Sequence, residues 1–137
     1  MGVGGIEERM EPIRSYRDLK VWQEAMTLAV TVYTLTRKMP KEEEYRLVAQ
    51  LIRASASVPA NIAEGHARGT RKDYAHFISI ARGSLAETET FLVLAERLGL
   101  APATETAAAL DLAAQVGRML TRLRQRLASP DPPEPSP

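Results

Sequence analysis

The periodicity of residues 70–98 constrains the fold of this chain more than any other feature of its sequence. Apolar and small side chains recur there at alternating steps of four and three residues, the heptad spacing of a helix that packs along an antiparallel neighbour. The positions are Tyr74, Ile78, Ala81, Leu85, Thr88, Leu92 and Ala95. Thr70 and Asp73 have the form of a capping box, and Gly99 follows the last turn. A helix of this kind requires other helices to cover it.

Three further segments have helical periodicity. We expect the first helix over residues 18–38, with Asp18 as its N-cap. The second is expected to start within residues 40–44 and to end at Gly65, and the last is expected over residues 102–128. The predicted buried face of the first is Trp22, Met26, Ala29, Tyr33 and Thr36. That of the last is Ala109, Leu112, Val116, Met119, Leu123 and Leu127.

Because the connections are short, successive helices are expected to be antiparallel neighbours. The sequence therefore predicts an all-α, antiparallel up-down-up-down four-helix bundle over residues 16–128. Residues 1–15 are predicted to be a flexible arm, and the proline-rich residues 129–137 a disordered tail.

The composition excludes several classes of protein. The chain has no cysteine, so it has no disulfide, thiol nucleophile or cysteine metal site. Its 18 basic and 17 acidic residues give a net charge of +1, so any basic surface must come from segregation of charge. No apolar run approaches the length of a membrane span, and the first residues lack the layout of a signal peptide. We expect a cytoplasmic protein with no membrane partner.

The second helix contains a proline, Pro59, at an interior position, where proline costs about 3 kcal/mol. Its bundle-facing residues are predicted to be Leu51, Ala54, Val58 and Ile62. A polar stripe and a band of alanines occupy the remaining directions, which favours contact with a second subunit. The predicted oligomer interface is Ala49, Arg53, Ala56, Ser57, Ala60, Asn61 and Glu64. The alternative is that Pro59 only bends the helix around its own core and the polar stripe is solvated.

Three segments carry a resemblance to a known family. They are YRDLKVWQEA (residues 16–25), the stretch 39–89, which includes SVPANIAEG, and QVGRML (residues 115–120). Together they resemble the proteins encoded within intervening sequences of bacterial 23S ribosomal RNA genes. The resemblance implies an antiparallel four-helix bundle that assembles as a homopentamer. His66 departs from it, because an aromatic residue is common at that position.

A more distant resemblance is to the accessory protein of diversity-generating retroelements, which lacks the SVPANIAEG segment. That protein is also a pentameric four-helix bundle, and it binds nucleic acid and a reverse transcriptase. The resemblance makes a nearby reverse transcriptase a possible partner of this chain.

The sequence offers little for catalysis. His66 and His76 have no carboxylate pattern typical of metal-binding helices, and Glu87 and Glu89 cannot share a helix face. No glycine-rich phosphate loop is present. We predict that the chain is not an enzyme and has no metal site and no cofactor.

Positive charge is segregated towards one predicted end of the bundle. After Asp111 the fourth helix has no acid through Ala128 but carries four arginines, and a second cluster lies at the turn between helices two and three. The predicted nucleic-acid contacts are Arg14, Arg17, Lys20, Arg68, Arg71, Lys72, Arg118, Arg122, Arg124 and Arg126. Alternatively, late arginines only complement the helix dipole, and acidic residues of the arm and tail screen this end.

Two hypotheses follow from these patterns. The first is a homo-oligomeric bundle that binds RNA or DNA electrostatically, without reading bases, because no aromatic side chains are interleaved with the basic ones. The second is a protein-interaction scaffold whose partner is another polypeptide, such as a reverse transcriptase.

Overall fold

The structure is a computed structural model that describes residues 13–129. Four helices fill this range: α1 (Lys20–Thr36), α2 (Leu47–His66), α3 (Arg71–Arg97) and α4 (Ala103–Ala128). Each helix packs against the next, and α1 also packs against α4, so that the four close into a bundle. Residues 13–129 contain no strand. The predicted all-α four-helix bundle is confirmed. Most of the predicted arm and tail, residues 1–12 and 130–137, lies outside the described residues.

The core is built from one buried stripe on each helix. On α3 the predicted seam is confirmed from Ile78 to Ala95, and Tyr74 is half-buried at its start. On α2 the four residues predicted to face the bundle are completely buried. Each large aliphatic side chain removed from water in this way contributes about 1.5–3 kcal/mol to stability. The six bulkiest fully buried side chains are Leu28, Leu51, Ile62, Ile78, Leu92 and Leu120.

The prediction for the buried face of α1 was wrong: each position of the buried stripe lies one residue before a predicted one. The buried stripe is Val21, Ala25, Leu28, Val32 and Leu35, with Thr36 beside it. Met26 is 38% exposed and Tyr33 is 47% exposed. Helix α1 has apolar residues on two adjacent faces. The face that carries the smaller aliphatic side chains is the one that packs inside the bundle. The indole of Trp22 lies half-buried at the edge, with its ring centroid 5.2 Å from that of Tyr16.

On α4 the prediction was correct for part of the buried face. Ala109 and Val116 are buried as predicted, whereas Thr106, Ala113 and Leu120 complete the buried stripe. The other predicted positions, Leu112, Met119, Leu123 and Leu127, are partly buried and flank this stripe.

The starts of α1 and α2 differ from the predictions. Asp18 is not the N-cap of α1: with Ser15 it forms a capping box around the short 3-10 helix Tyr16–Asp18, and α1 begins at Lys20. A second 3-10 helix, Lys41–Glu43, precedes α2, which begins only at Leu47. The backbone of Arg46 leaves the helical region (φ −112°, ψ −109°), and Leu47, which follows it, is buried in the core.

The ends of α3 match the sequence prediction. Thr70 is its N-cap, and the Thr70 hydroxyl oxygen accepts a hydrogen bond of 3.1 Å from the backbone N–H of Asp73. Gly99, which follows the helix, has a φ of +70°, a conformation that glycine adopts without steric cost.

Pro59 lies within the continuous helix α2 and is buried. Burial of its ring against the core offsets part of the cost of the lost backbone hydrogen bond. No helix within residues 13–129 is both long enough and apolar enough to cross a bilayer.

Candidate nucleic-acid interface

The start of α1, the α2–α3 turn and the end of α4 meet at one end of the bundle, as predicted. Arg71, at the start of α3, donates hydrogen bonds from its guanidinium to the carbonyl oxygens of Arg126 and Ser129. Lys20, Arg122 and Arg126 line one groove between α1 and α4, which we call the end groove. We call this end of the bundle the basic end.

The three predicted basic residues near the start of the described chain are all exposed. The backbone N–H of Arg14 donates to the Asp18 carboxylate at 2.8 Å, and the residue is exposed. The Arg17 guanidinium lies 6.0 Å from the centre of the Tyr16 ring. Lys20 projects from the first turn of α1 beside the end of α4.

The basic residues of the α2–α3 turn differ in the contacts that their side chains make within the chain. Arg68 forms an ion pair of 3.5 Å with Glu64, and its guanidinium carbon lies 4.8 Å from the centre of the Phe77 ring. Arg71 is bound to the last carbonyls of α4, as described above. Lys72 is exposed on the first turn of α3. Arg68 and Arg71 thus have a structural role in addition to any role in binding.

The four arginines of α4 occupy two different positions. Arg118, Arg122 and Arg126 follow each other at steps of four residues, so they form one exposed ridge along the helix. Arg124 lies on another side, half-buried, and donates a hydrogen bond of 2.9 Å to the Ser79 hydroxyl. The ridge is therefore available to a ligand, whereas Arg124 is engaged with α3.

The sequence prediction missed Arg82. This α3 residue is exposed and lines a second groove, between α3 and α4, together with Arg118 and Arg122 of the ridge. We call this groove the Arg82 trough. The signal that could have identified it is the antiparallel pairing of α3 with α4, which places the middle of α3 opposite the last turns of the arginine-bearing helix.

Glu89 is the one carboxylate among the residues that line the Arg82 trough. Burial raises the pKa of Glu89 above its ordinary value. Burial also raises the pKa of Tyr74, and the nearby positive charge of Arg126 partly opposes this shift. The positive charge of Arg126 therefore acts on the Tyr74 hydroxyl, which is partly buried in the basic end.

The predicted oligomer interface divides into two parts in the single chain. Ala49, Ala56 and Ala60 are exposed and form a surface band of small side chains. The polar residues, by contrast, find partners within the chain. Whether a second subunit covers the alanine band stays a prediction.

The polar residues of α2 face the groove between α2 and α3. Arg53 forms an ion pair of 3.6 Å with Glu87 of α3 and donates a hydrogen bond of 2.8 Å to Gln50. The hydroxyls of Ser57 and Ser84 lie 2.9 Å apart, and Asn61 donates to the Ser57 carbonyl at 2.8 Å. Glu64 pairs with Arg68. These groups therefore do not need a second subunit to satisfy their hydrogen bonds.

Exposed apolar side chains occur at places that the sequence did not predict. Val30 of α1 is 61% exposed, next to the exposed Met26 and Tyr33, and Tyr45 before α2 is 89% exposed. Exposed apolar groups that lie together are typical of surfaces that contact another molecule. The signal for them was the second apolar face of α1, which was interpreted as the core face.

The histidines pack against aromatic rings. The ring centroid of His66 lies 5.7 Å from that of Tyr74, and His76 lies 5.3 Å from Phe77. Residues 13–129 contain no group of three or more side chains that could bind a metal ion. The site is thus a charged surface built on a helical scaffold.

These features define the class of protein: a four-helix bundle with a cationic end. The 23S rRNA-intervening sequence protein family model matches residues 17–122. The chain belongs to that family, which confirms the resemblance found in the sequence.

A solved structure shares the fold. It is a protein of unknown function from the S23 ribosomal protein family of Bacteroides thetaiotaomicron, with a TM-score of 0.70 and 21% sequence identity. The match covers 77% of this chain and 98% of the other. No curated protein sequence matches the chain.

Proposed function

We propose that this protein is a non-enzymatic, homo-oligomeric four-helix bundle that binds RNA or DNA through electrostatic contacts with the phosphate backbone. The observation that carries the proposal is the end groove, where Lys20, Arg122 and Arg126 converge. Within residues 13–129 none of these three side chains forms an ion pair. Cations that lack partners on the protein are suited to bind an external polyanion.

The chemistry of the basic end favours backbone contacts. Arginine presents donors in a planar fork that matches phosphate, and lysine supplies a compact charge. The end groove has no aromatic ring among its lining residues, so it offers no platform for base stacking. We therefore expect affinity with little sequence preference and a strong dependence on salt.

The test is a filter-binding titration of the full chain on a structured RNA and on a duplex DNA at two salt concentrations. The variant Lys20→Glu/Arg126→Glu is expected to lose at least tenfold in affinity, because two cations become anions. Arg37→Glu/Lys41→Glu is the matched control, because it also reverses two charges and both residues are exposed at the opposite end of the bundle. Absence of binding at low salt, or equal losses in the two variants, would contradict the proposal.

A second candidate function is a scaffold for a polypeptide partner, such as a reverse transcriptase encoded nearby. The exposed apolar residues of α1 favour it, since Met26, Val30 and Tyr33 lie on one side of that helix. An affinity pull-down with mass spectrometry reports protein and nucleic-acid partners together. The scaffold hypothesis predicts that one defined protein is recovered with the wild-type chain and is not recovered with the Val30→Glu variant.

A further inference from the structure

The Arg82 trough is lined by residues of two helices, α3 and α4. Helix α3 contributes Arg82, Leu85 and Glu89. Helix α4 contributes Ala114, Gly117, Arg118, Thr121 and Arg122. Arg82 therefore belongs to one helix, and the ridge arginines Arg118 and Arg122 belong to the other. Small residues of α4 are among those that line the space between them.

The floor of the trough is formed by a close approach of the two helices. A Cβ atom added at Gly117 would lie 3.3 Å from a Leu85 methyl carbon, a tighter distance than ordinary van der Waals contact. Glycine at this position therefore lets the two helices approach closely beside Leu85. The three arginines that line the same groove are exposed, so a chain of anionic groups can reach them.

The three arginines of the trough outnumber its one carboxylate, Glu89. Arg82, Arg118 and Arg122 form no ion pair within the part of the chain that the structure describes. Guanidinium groups with their donors free are strong ligands for phosphate oxygens.

The trough is continuous with the basic end. Arg122 lines both the Arg82 trough and the end groove, so the two grooves meet at this residue on opposite sides of the α4 ridge. The ridge from Arg118 to Arg126 is about 12 Å long at the helical rise of about 1.5 Å per residue. One strand of a duplex presents a phosphate about every 3.4 Å along the axis, so the ridge spans roughly three or four phosphates.

We propose that the Arg82 trough binds the phosphodiester backbone of a nucleic acid and extends the contact surface from the basic end along α4. The inference rests on the proposed function and adds Arg82 of α3 to the predicted contacts Arg118 and Arg122, so that phosphate would be bound between two helices. Its chemistry is phosphate recognition by arginine, with Arg82 and Arg122 on opposite walls. Because no aromatic ring lines the trough, the bases do not stack there.

The experiment measures binding of a duplex DNA and of a structured RNA to the full chain by fluorescence anisotropy over a series of salt concentrations. Loss of one phosphate contact in Arg82→Gln is expected to reduce the slope of log affinity against log salt by about 0.9 for duplex DNA. Glu89→Gln is expected to raise the affinity, because it removes the negative charge of the trough.

The matched control is Arg97→Gln. Arg97 is an exposed arginine of the same helix that lines neither groove, so this variant loses the same charge and is expected to leave the slope unchanged. Circular dichroism of each variant checks that the helices are retained.

The outcomes separate this inference from the proposed function. If Arg82→Gln leaves the slope unchanged while Lys20→Glu/Arg126→Glu weakens binding, the trough is not a contact surface and the proposed function stands. If the wild-type chain binds neither nucleic acid at low salt, both proposals fail. If polyglutamate of equal charge competes as well as RNA, the trough recognises acidic polymers in general and its assignment to a phosphodiester backbone is wrong.

Discussion

Gly65, the last residue of the SVPANIAEG segment, shows how a single residue sets the geometry of the basic end. A Cβ atom at this position would lie 2.8 Å from the Phe77 Cβ and 3.2 Å from the Tyr74 carbonyl oxygen. Real Cβ atoms essentially never come as close as 2.8 Å to another carbon atom, so only glycine lets α2 contact the first turns of α3 here. The close approach brings the α2–α3 turn and its basic residues against α3.

The prediction for Gly65→Ala is a loss of about 1–3 kcal/mol in the free energy of unfolding, because the helices must separate to admit the methyl group. The matched control is Gly83→Ala, which lies within α3 with no heavy atom within 4 Å of its added Cβ. Alanine there is expected to stabilise the protein by about 0.5–1 kcal/mol through its better helix propensity. Urea denaturation measures both, and equal effects of the two substitutions would refute the packing explanation.

The arginines show what a sequence can and cannot predict at this scale. Charge segregation correctly located most of the residues at the basic end. Charge segregation could not distinguish an arginine whose guanidinium donors are free from one whose donors are hydrogen-bonded, because the acceptor residue lies far away in the sequence. Arg124 bonds to Ser79 and Arg71 to carbonyls of α4, whereas Arg118 remains open. Arg82 was missed for the same reason, since the other two arginines of the trough, Arg118 and Arg122, belong to another helix.

At the scale of the element, periodicity predicts a helix well but does not always predict which face is buried. On helix α3 the seam repeats at regular steps of four and three residues from Ile78 to Ala95, and this face is the buried one, as predicted. Helix α1 has two adjacent apolar stripes, and only packing against α2 and α4 decides between them. The late start of α2 has a similar origin: proline and glutamates favour a helix start from residue 40, but the core position of Leu47 requires a break at Arg46.

The N-cap of α3 can be tested by substitution. Thr70→Ala removes the hydroxyl oxygen that accepts from the Asp73 N–H, and we expect a loss of about 1 kcal/mol in unfolding free energy. Thr90→Ala is the control on the same helix. Thr90 is exposed, and its hydroxyl donates only to the carbonyl oxygen of Ala86. We expect this control to be neutral or slightly stabilising, as measured by thermal unfolding, and a cost as large as that of Thr70→Ala would argue against the cap.

At the scale of the whole molecule, the closed order of the four helices brings distant basic segments to one end. Lys38 and Glu105 pair at the opposite end and tie α1 to α4 there. The sequence predicted this arrangement through the short connections alone. The sequence predicted an oligomer interface on α2, and the structure adds a second candidate surface, because apolar residues of α1 are exposed as well.

Substitutions can decide between these two surfaces. Ala56→Glu/Ala60→Glu places two charges in the alanine band of α2. If the proposed oligomer forms through this band, we expect the variant to sediment as the 15.1 kDa monomer while helicity is retained. Sedimentation velocity with circular dichroism measures both properties. Val30→Glu on α1 is the comparison. An interface on α2 predicts an unchanged assembly for Val30→Glu, whereas dissociation of that variant alone would move the interface to α1.

The position of Arg122 between two grooves has a thermodynamic consequence. One guanidinium cannot serve both grooves fully, so a short oligonucleotide bound on either side of α4 withdraws a donor from the other side. Two short oligonucleotides are therefore expected to bind with negative cooperativity, a coupling that acts reciprocally. Calorimetry would show two unequal affinities in the wild-type chain, and these are expected to become more nearly equal in Arg122→Gln. A longer strand that wraps around the ridge avoids this competition, which would make the length of the nucleic acid, rather than its sequence, the property that the protein selects.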